Sequence, residues 1–417
     1  MAEIPQIQIL DKKHYFNQAL VSLPDALPLP SLAGSSLRIR TVTLPISLNT
    51  LTNATCSGIL DSWGVHPLPE STPAPYNDPS LYGRINCWGY GKVVESSFPE
   101  AKKGSWVYGY LPIGTLPFDI QVEAGVVPNQ VLVTNSSRQQ LFAMYNRYII
   151  HPEQPLGDEI AEKSDSVALD CAFRVMHETA YLLNKYAFAS SPEDRIPLAP
   201  ALASWSAEDA NLSGATVISF APGSKVGLAF AYLARNERTG AYPERLIAAA
   251  SPSSKAFVEG TSLYDSTVLS SDDPMSLLSS LDVTRDSNIF VLDFGGRANA
   301  ALNWVTVLKP TFPNLKYIQI GIEVLEVSHE QFMAGSEVSQ NLGGVLLEFA
   351  FIRGEAMERI GEREYFEGLT KSWEALRQRG IWGLEIKWGE GMEAVIKGYE
   401  SFCQGTAQPN AGLVFKI

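Results

Sequence analysis

The turn A-P-G-S-K-V-G at residues 221–227 contains residue types that bind phosphate groups, between an apolar run and a helical pattern. Gly223 and Gly227 allow a ligand to approach the backbone, and the amides near Ser224 lie at the positive end of the following helix. Lys225 adds a mobile positive charge. The spacing departs from G-x-G-x-x-G, so a strand-to-helix turn without a ligand stays an alternative. The prediction is a site for dinucleotide phosphates.

A second polar group follows the next apolar run, R-L-I-A-A-A, and consists of Ser251, Ser253, Ser254 and Lys255. Sheets that bind NAD(H) place an acidic residue here for the ribose 2′-hydroxyl, whereas hydroxyl groups and a cation suit a 2′-phosphate. No acidic residue occurs between Arg245 and Lys255. Serine is also an ordinary helix N-cap, which is the alternative without a ligand. The residues favour NADP(H) over NAD(H).

Both polar groups require a parallel sheet to position them. Four short apolar runs alternate with segments long enough for crossover helices, at 215–220, 245–250, 288–294 and 315–321. In a doubly wound sheet of this kind, ligands bind beyond the carboxyl ends of the strands. Gly295 and Gly321 follow or end two of these runs, so they are predicted to belong to the same cofactor site. This part of the chain is predicted to be α/β.

The first part of the chain has a different pattern. Residues 1–190 contain alternating strand-like runs, such as L-R-I-R-T-V-T-L-P-I-S-L, separated by Pro and Gly. They predict a small barrel or sandwich. A polar, Pro-rich stretch at 191–214 precedes the α/β pattern, so the predicted domains are 1–190, a nucleotide-binding domain at 191–355, and a return to the first domain at 356–417.

Composition restricts the class of protein. The 417 residues carry a net charge of −13 with no cluster of Lys or Arg, which argues against a nucleic-acid partner. No apolar run is long enough to span a bilayer and no secretory signal is recognisable, so a cytoplasmic enzyme without a membrane partner is expected. The four cysteines and five histidines form no metal-binding motif, and no metal is predicted.

Several segments resemble the medium-chain dehydrogenase and reductase superfamily. They are the barrel segment G-Y-G-K-V-V-E-S-S-F-P-E-A-K-K-G-S-W-V-Y-G at 89–109, the phosphate turn with its strand and helix, and F-V-L-D-F-G-G-R at 290–297. The resemblance implies a GroES-like β-barrel catalytic domain followed by a doubly wound Rossmann nucleotide-binding domain. A last barrel strand, A-G-L-V-F-K-I, is then expected at 411–417.

Within that superfamily, the chain is similar to a largely uncharacterised, reductase-like family without zinc. The matching motifs occur in the same order, and they are Ser47-Leu48-Asn49, Trp88 to Ser96, Tyr145-Asn146-Arg147-Tyr148, Ser224-Lys225 and Gly412-Leu413-Val414. The resemblance implies a zinc-independent, quinone-reductase-like or enoyl-reductase-like enzyme.

In a zinc-independent reductase, a positioned proton donor or hydrogen bond to the developing oxyanion assists hydride transfer. The candidates are Asn49 and Thr52 at the first barrel strand, Tyr145 and Tyr148 at the domain junction, and His177 on the following helix. Tyr145 and Tyr148 would share a helix face if their segment were helical. Packing between domains is the alternative for the tyrosines. An ordinary surface or core histidine is the alternative for His177.

The sequence therefore predicts an NADP(H)-dependent reductase of an enone or ketone in a small apolar or polyketide-like substrate of secondary metabolism. The protein is expected to be a monomer or homodimer. A non-redox enzyme on the same fold, such as a cyclase, isomerase or hydratase, is the second interpretation. A binding protein without chemistry is the third. Binding of NADPH separates the first interpretation from the third.

Overall fold

The computed structural model describes residues 3–60, 62–200, 205–323, 335 and 337–417. Packing divides these residues into two compact units. The first contains Met1–Ala172 and Glu385–Ile417, and the second contains Phe173–Glu323 and the described part of Glu330–Leu384. The boundary between the two units, after Ala172, lies inside one continuous helix, Asp165–Leu182. A boundary inside an unbroken helix leaves no signal in the sequence. The predicted domain limits at 190 and 355 therefore differ from the boundaries between the two units, and they stay predictions.

The first unit is mainly β-structure. Its elements are β1 (Gln6–Asp11), β2 (Gln18–Ser22), β3 (Ser36–Ile46), α1 (Leu48–Leu60), β4 (Tyr82–Gly83), β5 (Asn86–Ser96), β6 (Trp106–Pro112), β7 (Phe118–Ala124), β8 (Gln130–Val133), β9 (Arg147–His151), α2 (Leu156–Ala161) and the start of α3 (Asp165–Leu182). The segment Glu385–Ile417 also belongs to this unit.

Six of these strands form a closed barrel. The order is β3-β5-β6-β9-β8-β7, and β7 pairs with β3 to close the ring. Apolar residues from alternate positions, such as Leu37 and Ile39 on β3 and Val131 and Val133 on β8, fill its interior. The predicted barrel is confirmed.

The second unit alternates strands and helices. Its elements after α3 are β10 (Thr216–Phe220), α4 (Lys225–Asn236), β11 (Arg245–Ala250), α5 (Lys255–Thr261), β12 (Ser266–Leu269), α6 (Pro274–Ser280), β13 (Ile289–Phe294), α7 (Ala300–Leu308), β14 (Leu315–Gly321), β15 (Gly344–Leu346), α8 (Phe349–Ile360) and α9 (Glu362–Arg379). The chain then returns to the first unit with β16 (Glu385–Glu390), α10 (Gly391–Cys403) and β17 (Ala411–Lys416).

The sheet of the second unit is parallel throughout and has the order β12-β11-β10-β13-β14-β15. Strand order reverses between β10 and β13, which is the point where doubly wound sheets bind ligands. The strands β10, β11, β13 and β14 correspond to the four predicted apolar runs. The predicted α/β fold with a Rossmann sheet is confirmed.

Two local predictions need correction. Asn49 and Thr52 lie in the helix Leu48–Leu60 and not in a barrel strand. The strand β17 pairs with β3 and β16 outside the closed ring, so the barrel closes without it. The helices α8 and α9 are separated by Gly361, where φ is +85°. A left-handed residue interrupts the helical hydrogen bonds.

Candidate functional site

The turn between β10 and α4 brings strand, turn and helix into close contact. Ser224 caps the helix, and its Oγ accepts a hydrogen bond from the Gly227 amide at 3.2 Å. A Cβ atom on Gly227 would lie 3.0 Å from the Ala221 oxygen and 3.1 Å from the Pro222 oxygen. Ala221 itself has a φ of +49°, a conformation that L residues rarely adopt. The turn therefore has a tight backbone that depends on glycine at position 227.

Gly227→Ala is expected to lower the free energy of unfolding by about 1–3 kcal/mol, because the added methyl group meets backbone atoms that cannot move independently. Gly260→Ala is the matched control, since nothing lies within 4 Å of a Cβ atom at this position in α5. The control is expected to gain about 0.5–1 kcal/mol from the better helix former. Urea unfolding of both variants measures the difference, and equal stability would contradict the packing described for the turn.

Lys225 is the first residue of α4 and is partly buried. Its Nζ lies 5.7 Å from the centre of the Phe173 ring. In the part of the chain that the structure describes, no carboxylate lies within ion-pair distance of it. Burial lowers the pKa of Lys225 to about 8. A lysine at the positive end of a helix, without an acidic partner, is placed where an anion would be stabilised.

The predicted serine cluster forms at the carboxyl end of β11, the strand beside β10. The Ser251 Oγ lies 3.1 Å from the Ser253 Oγ and 2.8 Å from the Ser254 Oγ. Lys255 points elsewhere in this structure, because its Nζ forms an ion pair with Glu259 at 2.7 Å. Both members of this pair are substantially exposed, so the pair contributes little and can be exchanged for another anion. The hydroxyl groups come together as predicted, and the cation lies next to them in sequence.

Gly295 and Gly321 lie at the ends of β13 and β14, where the two backbones approach each other. A Cβ atom on Gly321 would be 2.6 Å from the Phe294 oxygen. The Asp293 carboxylate accepts hydrogen bonds from the amides of Gly295 and Gly296 at 3.0 and 2.6 Å. Burial raises the pKa of Asp293. Both glycines are therefore required by close packing of the strand ends, and their predicted contact with a cofactor stays a prediction.

Two residues that support the turn were not predicted. The Tyr264 hydroxyl lies 3.1 Å from both the Pro222 oxygen and the Gly227 oxygen, so it ties the turn to the start of α4. The Phe257 ring lies 3.5 Å from the position of a Cβ atom on Gly223. Tyr264 belongs to the segment T-S-L-Y-D-S-T-V-L, whose last four residues form β12. Only its position just before this strand signals its role.

The tyrosine candidates lie in the first unit, in a segment that is not an α-helix, so they do not share a helix face. Tyr145 lies in a 3₁₀ turn at Ala143–Asn146, and Tyr148 lies in β9. Tyr148 is fully buried in the barrel, and its hydroxyl donates to the Tyr110 oxygen at 2.5 Å. Tyr145 is partly exposed, and its ring centre lies 4.4 Å from that of Tyr110. Tyr145 is the more accessible phenol, whereas a catalytic role for Tyr148 stays a prediction without structural support.

The remaining catalytic candidates lie on other elements. Asn49 and Thr52 are partly buried on α1 in the first unit. His177 belongs to the second unit, where it is fully buried and its Nε2 lies 3.0 Å from the Ser372 Oγ. Burial, with a smaller contribution from the charge of Arg174, lowers the pKa of His177 to about 3. A neutral, buried imidazole that is held by a serine has the features of a core histidine.

Metal binding and membrane spanning each require a specific arrangement of residues. Over 3–60, 62–200, 205–323, 335 and 337–417, no group of three or more His, Cys, Asp or Glu residues could hold a metal ion. None of the helices described there has the length and apolarity needed to cross a membrane.

Comparison with known proteins gives one family and a set of similar folds. The family model for "Protein of unknown function (DUF2855)" matches residues 44–408. No curated protein matches the sequence. Among solved structures, the CurK enoyl reductase is 14% identical with a TM-score of 0.53, covering 99% of each chain. CurA from Vibrio vulnificus in complex with NADPH is 12% identical with a TM-score of 0.53, covering 99% of this chain and 98% of that chain.

A third structure, the apo form of the JamJ enoyl reductase, is 12% identical with a TM-score of 0.52 and covers 99% of each chain. At these identities the similarity concerns the fold. The two-part architecture, a GroES-like barrel with a Rossmann sheet, is that of medium-chain reductases. The predicted fold is confirmed, and the family model fits the predicted membership of a largely uncharacterised family.

Proposed function

The chain belongs to the DUF2855 family, and we propose that it is an NADP(H)-dependent, zinc-independent reductase of an enone or ketone. The proposed substrate is a small apolar or polyketide-like molecule. Three similar folds are named as enoyl reductases or as an NADPH complex. Those names support a reductase. The choice of cofactor and of substrate is argued from the residues of this chain.

The observation that carries the proposal is the unpaired Lys225 beside the cluster of serine hydroxyls. Strands β10 and β11 are neighbours and parallel, so the turn before α4 and the serines after Ala250 lie at the same edge of the sheet. Phosphate groups fit this edge, because it offers a cation without an acidic partner and three hydroxyl donors. Lys225 would hold the pyrophosphate, and Ser251, Ser253, Ser254 and Lys255 would hold a 2′-phosphate.

The bound nicotinamide would supply the hydride. This chain must then bind the substrate and hold a proton donor near the oxygen that gains negative charge. The Tyr145 phenol suits this role best among the predicted candidates, since it is partly exposed within a group of aromatic rings. A phenol can donate a hydrogen bond to a carbonyl oxygen and then a proton to the enolate. Asn49 and Thr52 stay secondary candidates.

Turnover in the presence of NADPH tests the proposal. Purified protein is expected to bind NADPH in calorimetry and to convert members of an enone panel into products heavier by two hydrogens, measured by mass spectrometry. With NADPH carrying deuterium at the transferred position, one deuterium should appear in the product. Products of unchanged composition would favour the cyclase or isomerase alternative. Absence of NADPH binding would contradict the reductase proposal.

A further inference from the structure

Arg84 is a buried cation without a partner. It precedes β5 by two residues, and only 4% of its surface is exposed. Its Nε and Nη2 atoms are buried and make no hydrogen bond. Within the described part of the chain, no carboxylate forms an ion pair with it. Two other buried arginines are paired, Arg353 with the Glu178 carboxylate and Arg195 with the Ala189 oxygen. Arg238 also has one unsatisfied atom, Nη2, but its Nε and Nη1 donate to the Ala241 and Asn184 oxygens.

An unpaired guanidinium group in the interior is costly, because the lost hydration is not replaced. Burial lowers the pKa of Arg84 to about 10, which still leaves the group charged at neutral pH. Arginine is rarely buried without a partner. A ligand that brings a negative charge to Arg84 would offset this cost.

The groups around Arg84 supply no acidic partner either. His66 and Asn86 are buried, and the His66 Nε2 and the Asn86 Oδ1 also make no hydrogen bond. Burial lowers the pKa of His66 well below its usual value, and the nearby charges of Arg138 and Arg84 lower it further. Arg138 itself donates to the Asn146 side chain and to the Tyr145 oxygen. The region combines positive charge with unsatisfied polar atoms.

Arg38, in the same unit, shows what the free edge of Arg84 can bind. The Arg38 Nε and Nη2 atoms donate to the two carboxylate oxygens of Asp119 at 2.7 and 2.8 Å. This is a bidentate contact, in which the planar guanidinium matches the spacing of a carboxylate. The same two atoms are the ones without a partner on Arg84. Their geometry suits a carboxylate better than a point charge.

The region is connected to the aromatic residues near Tyr145. His66 hydrogen-bonds to the Tyr110 backbone. The centre of the Tyr110 ring lies 4.4 Å from that of Tyr145, with the two planes tilted by 32°, and 5.6 Å from that of the Trp88 ring. A ligand that contacts Tyr145 with its unsaturated part could therefore extend toward the positive region. The aromatic surface suits a flat, conjugated group at one end of the ligand, while the cation suits an anion at the other.

We propose that Arg84 binds a carboxylate of the substrate, so that the substrate class is an unsaturated or keto acid with an aromatic or conjugated body. This inference rests on the proposed reductase function and specifies its substrate. Arg84 provides the bidentate contact, and Arg138 adds positive potential while keeping its own hydrogen bonds. Tyr145, the partly exposed ring, contacts the conjugated part, and the buried Trp88 and Tyr110 rings pack behind it.

The test compares trans-cinnamate with its uncharged analogue trans-cinnamamide on the full chain. Calorimetry is expected to show cinnamate binding to the wild type, with affinity reduced roughly ten- to a hundredfold for cinnamamide and for cinnamate with Arg84→Met. Lys103→Met is the control, because it removes the same charge from an exposed position of the first unit. It should bind cinnamate as the wild type does.

Thermal unfolding without ligand provides an independent measurement. If the Arg84 charge is kept for binding, Arg84→Met should unfold at the same or a higher temperature, because an unpaired buried charge is replaced by an apolar side chain of similar length. A lower melting temperature together with equal binding of cinnamate and cinnamamide would overturn the inference. Binding of inorganic phosphate but not of cinnamate would also overturn it.

NADPH binding, measured on the same samples, separates the two proposals. Wild type and Arg84→Met are expected to bind NADPH equally, because Arg84 belongs to the first unit and the phosphate turn belongs to the second. If neither the wild type nor Arg84→Met binds NADPH, but the wild type binds cinnamate, the reductase proposal is rejected and the carboxylate site stays in place. NADPH binding without any preference for cinnamate would reject only the carboxylate site.

Discussion

Lys225→Ala is expected to weaken NADPH binding roughly ten- to a hundredfold, the effect of losing one charge-assisted contact worth about 1.5–3 kcal/mol. The reason is that Lys225 begins α4, has no acidic partner in the described residues and retains an accessible charge near neutral pH. Lys225→Arg keeps the charge and should retain most of the affinity. Isothermal calorimetry at pH 7 measures all three proteins, and unchanged binding by Lys225→Ala would contradict the phosphate site.

The dependence of this binding on pH is a second measurement of the same contact. The free lysine has a pKa of about 8, and a bound phosphate would raise it, so affinity should be greatest below pH 8 and fall as pH rises. For one group of this pKa, the dissociation constant should rise about tenfold between pH 7 and pH 9. Lys225→Arg should show no such change, because arginine stays charged over this range.

Lys255→Ala tests the choice between NADPH and NADH. Lys255 must exchange its ion pair with Glu259 for the 2′-phosphate, so its loss should have a smaller effect than the loss of Lys225. The variant should bind NADH nearly as the wild type does and bind NADPH more weakly. Equal losses for both cofactors would keep the cofactor site and remove the argument for the 2′-phosphate.

Arg353→Met is expected to lower the free energy of unfolding by about 3–5 kcal/mol, because it leaves a buried carboxylate without its cation. The Arg353 Nε lies 2.7 Å from the Glu178 Oε1, and the Tyr365 hydroxyl donates to the same oxygen at 2.9 Å. The two charged side chains are only 5% and 12% exposed. Urea unfolding at neutral pH is the measurement.

Two control variants make this result specific to burial. The double variant Arg353→Met/Glu178→Gln removes both charges and should recover much of the lost stability, since no isolated charge remains. Arg377→Met breaks an ion pair with Glu374 that is partly exposed, and it should cost less than about 1 kcal/mol. If Arg353→Met were as mild as Arg377→Met, the pair of Arg353 and Glu178 would not be the buried interaction described here.

The parallel sheet was predictable because its signals are local. Each of the runs that form β10, β11, β13 and β14 is short and apolar, ends in small or polar residues, and is followed by room for a helix. The serine cluster was also predictable, since Ser251, Ser253 and Ser254 follow one strand within four positions. Its placement at the same sheet edge as the turn before α4 follows because β10 and β11 are parallel neighbours.

The helix α1 was not predictable from local pattern. The segment L-N-T-L-T-N-A-T-C-S-G-I-L contains several threonines and asparagines, which are weak helix formers. Leu51 and Ala54, three positions apart, are buried in a cluster with residues of β3 and α10. Tertiary packing of this face outweighs the local preference, so Asn49 and Thr52 lie on a helix rather than a strand.

The partners of single polar residues were the least predictable feature. His177 bonds to Ser372 across 195 positions of the chain, a pairing that no local motif records. Arg84 lies in L-Y-G-R-I-N-C-W, where a charged residue next to Gly resembles an exposed turn. Its burial follows only from the packing around it. A buried charge without a partner can be recognised only from the three-dimensional structure.

The core of the first unit joins the two ends of the chain, which affects the order of folding. Tyr399 on α10 donates to the Tyr15 oxygen across 384 positions, and Leu10 and Val395 share one apolar cluster. Such contacts close the largest loops in the molecule, and each doubling of loop length adds about 0.6 kcal/mol of entropic cost. Five of the six strands of the second sheet lie between Thr216 and Gly321, so their pairing closes shorter loops. Prior folding of that segment shortens the effective loop between the two ends and lowers the entropic barrier to completing the first core.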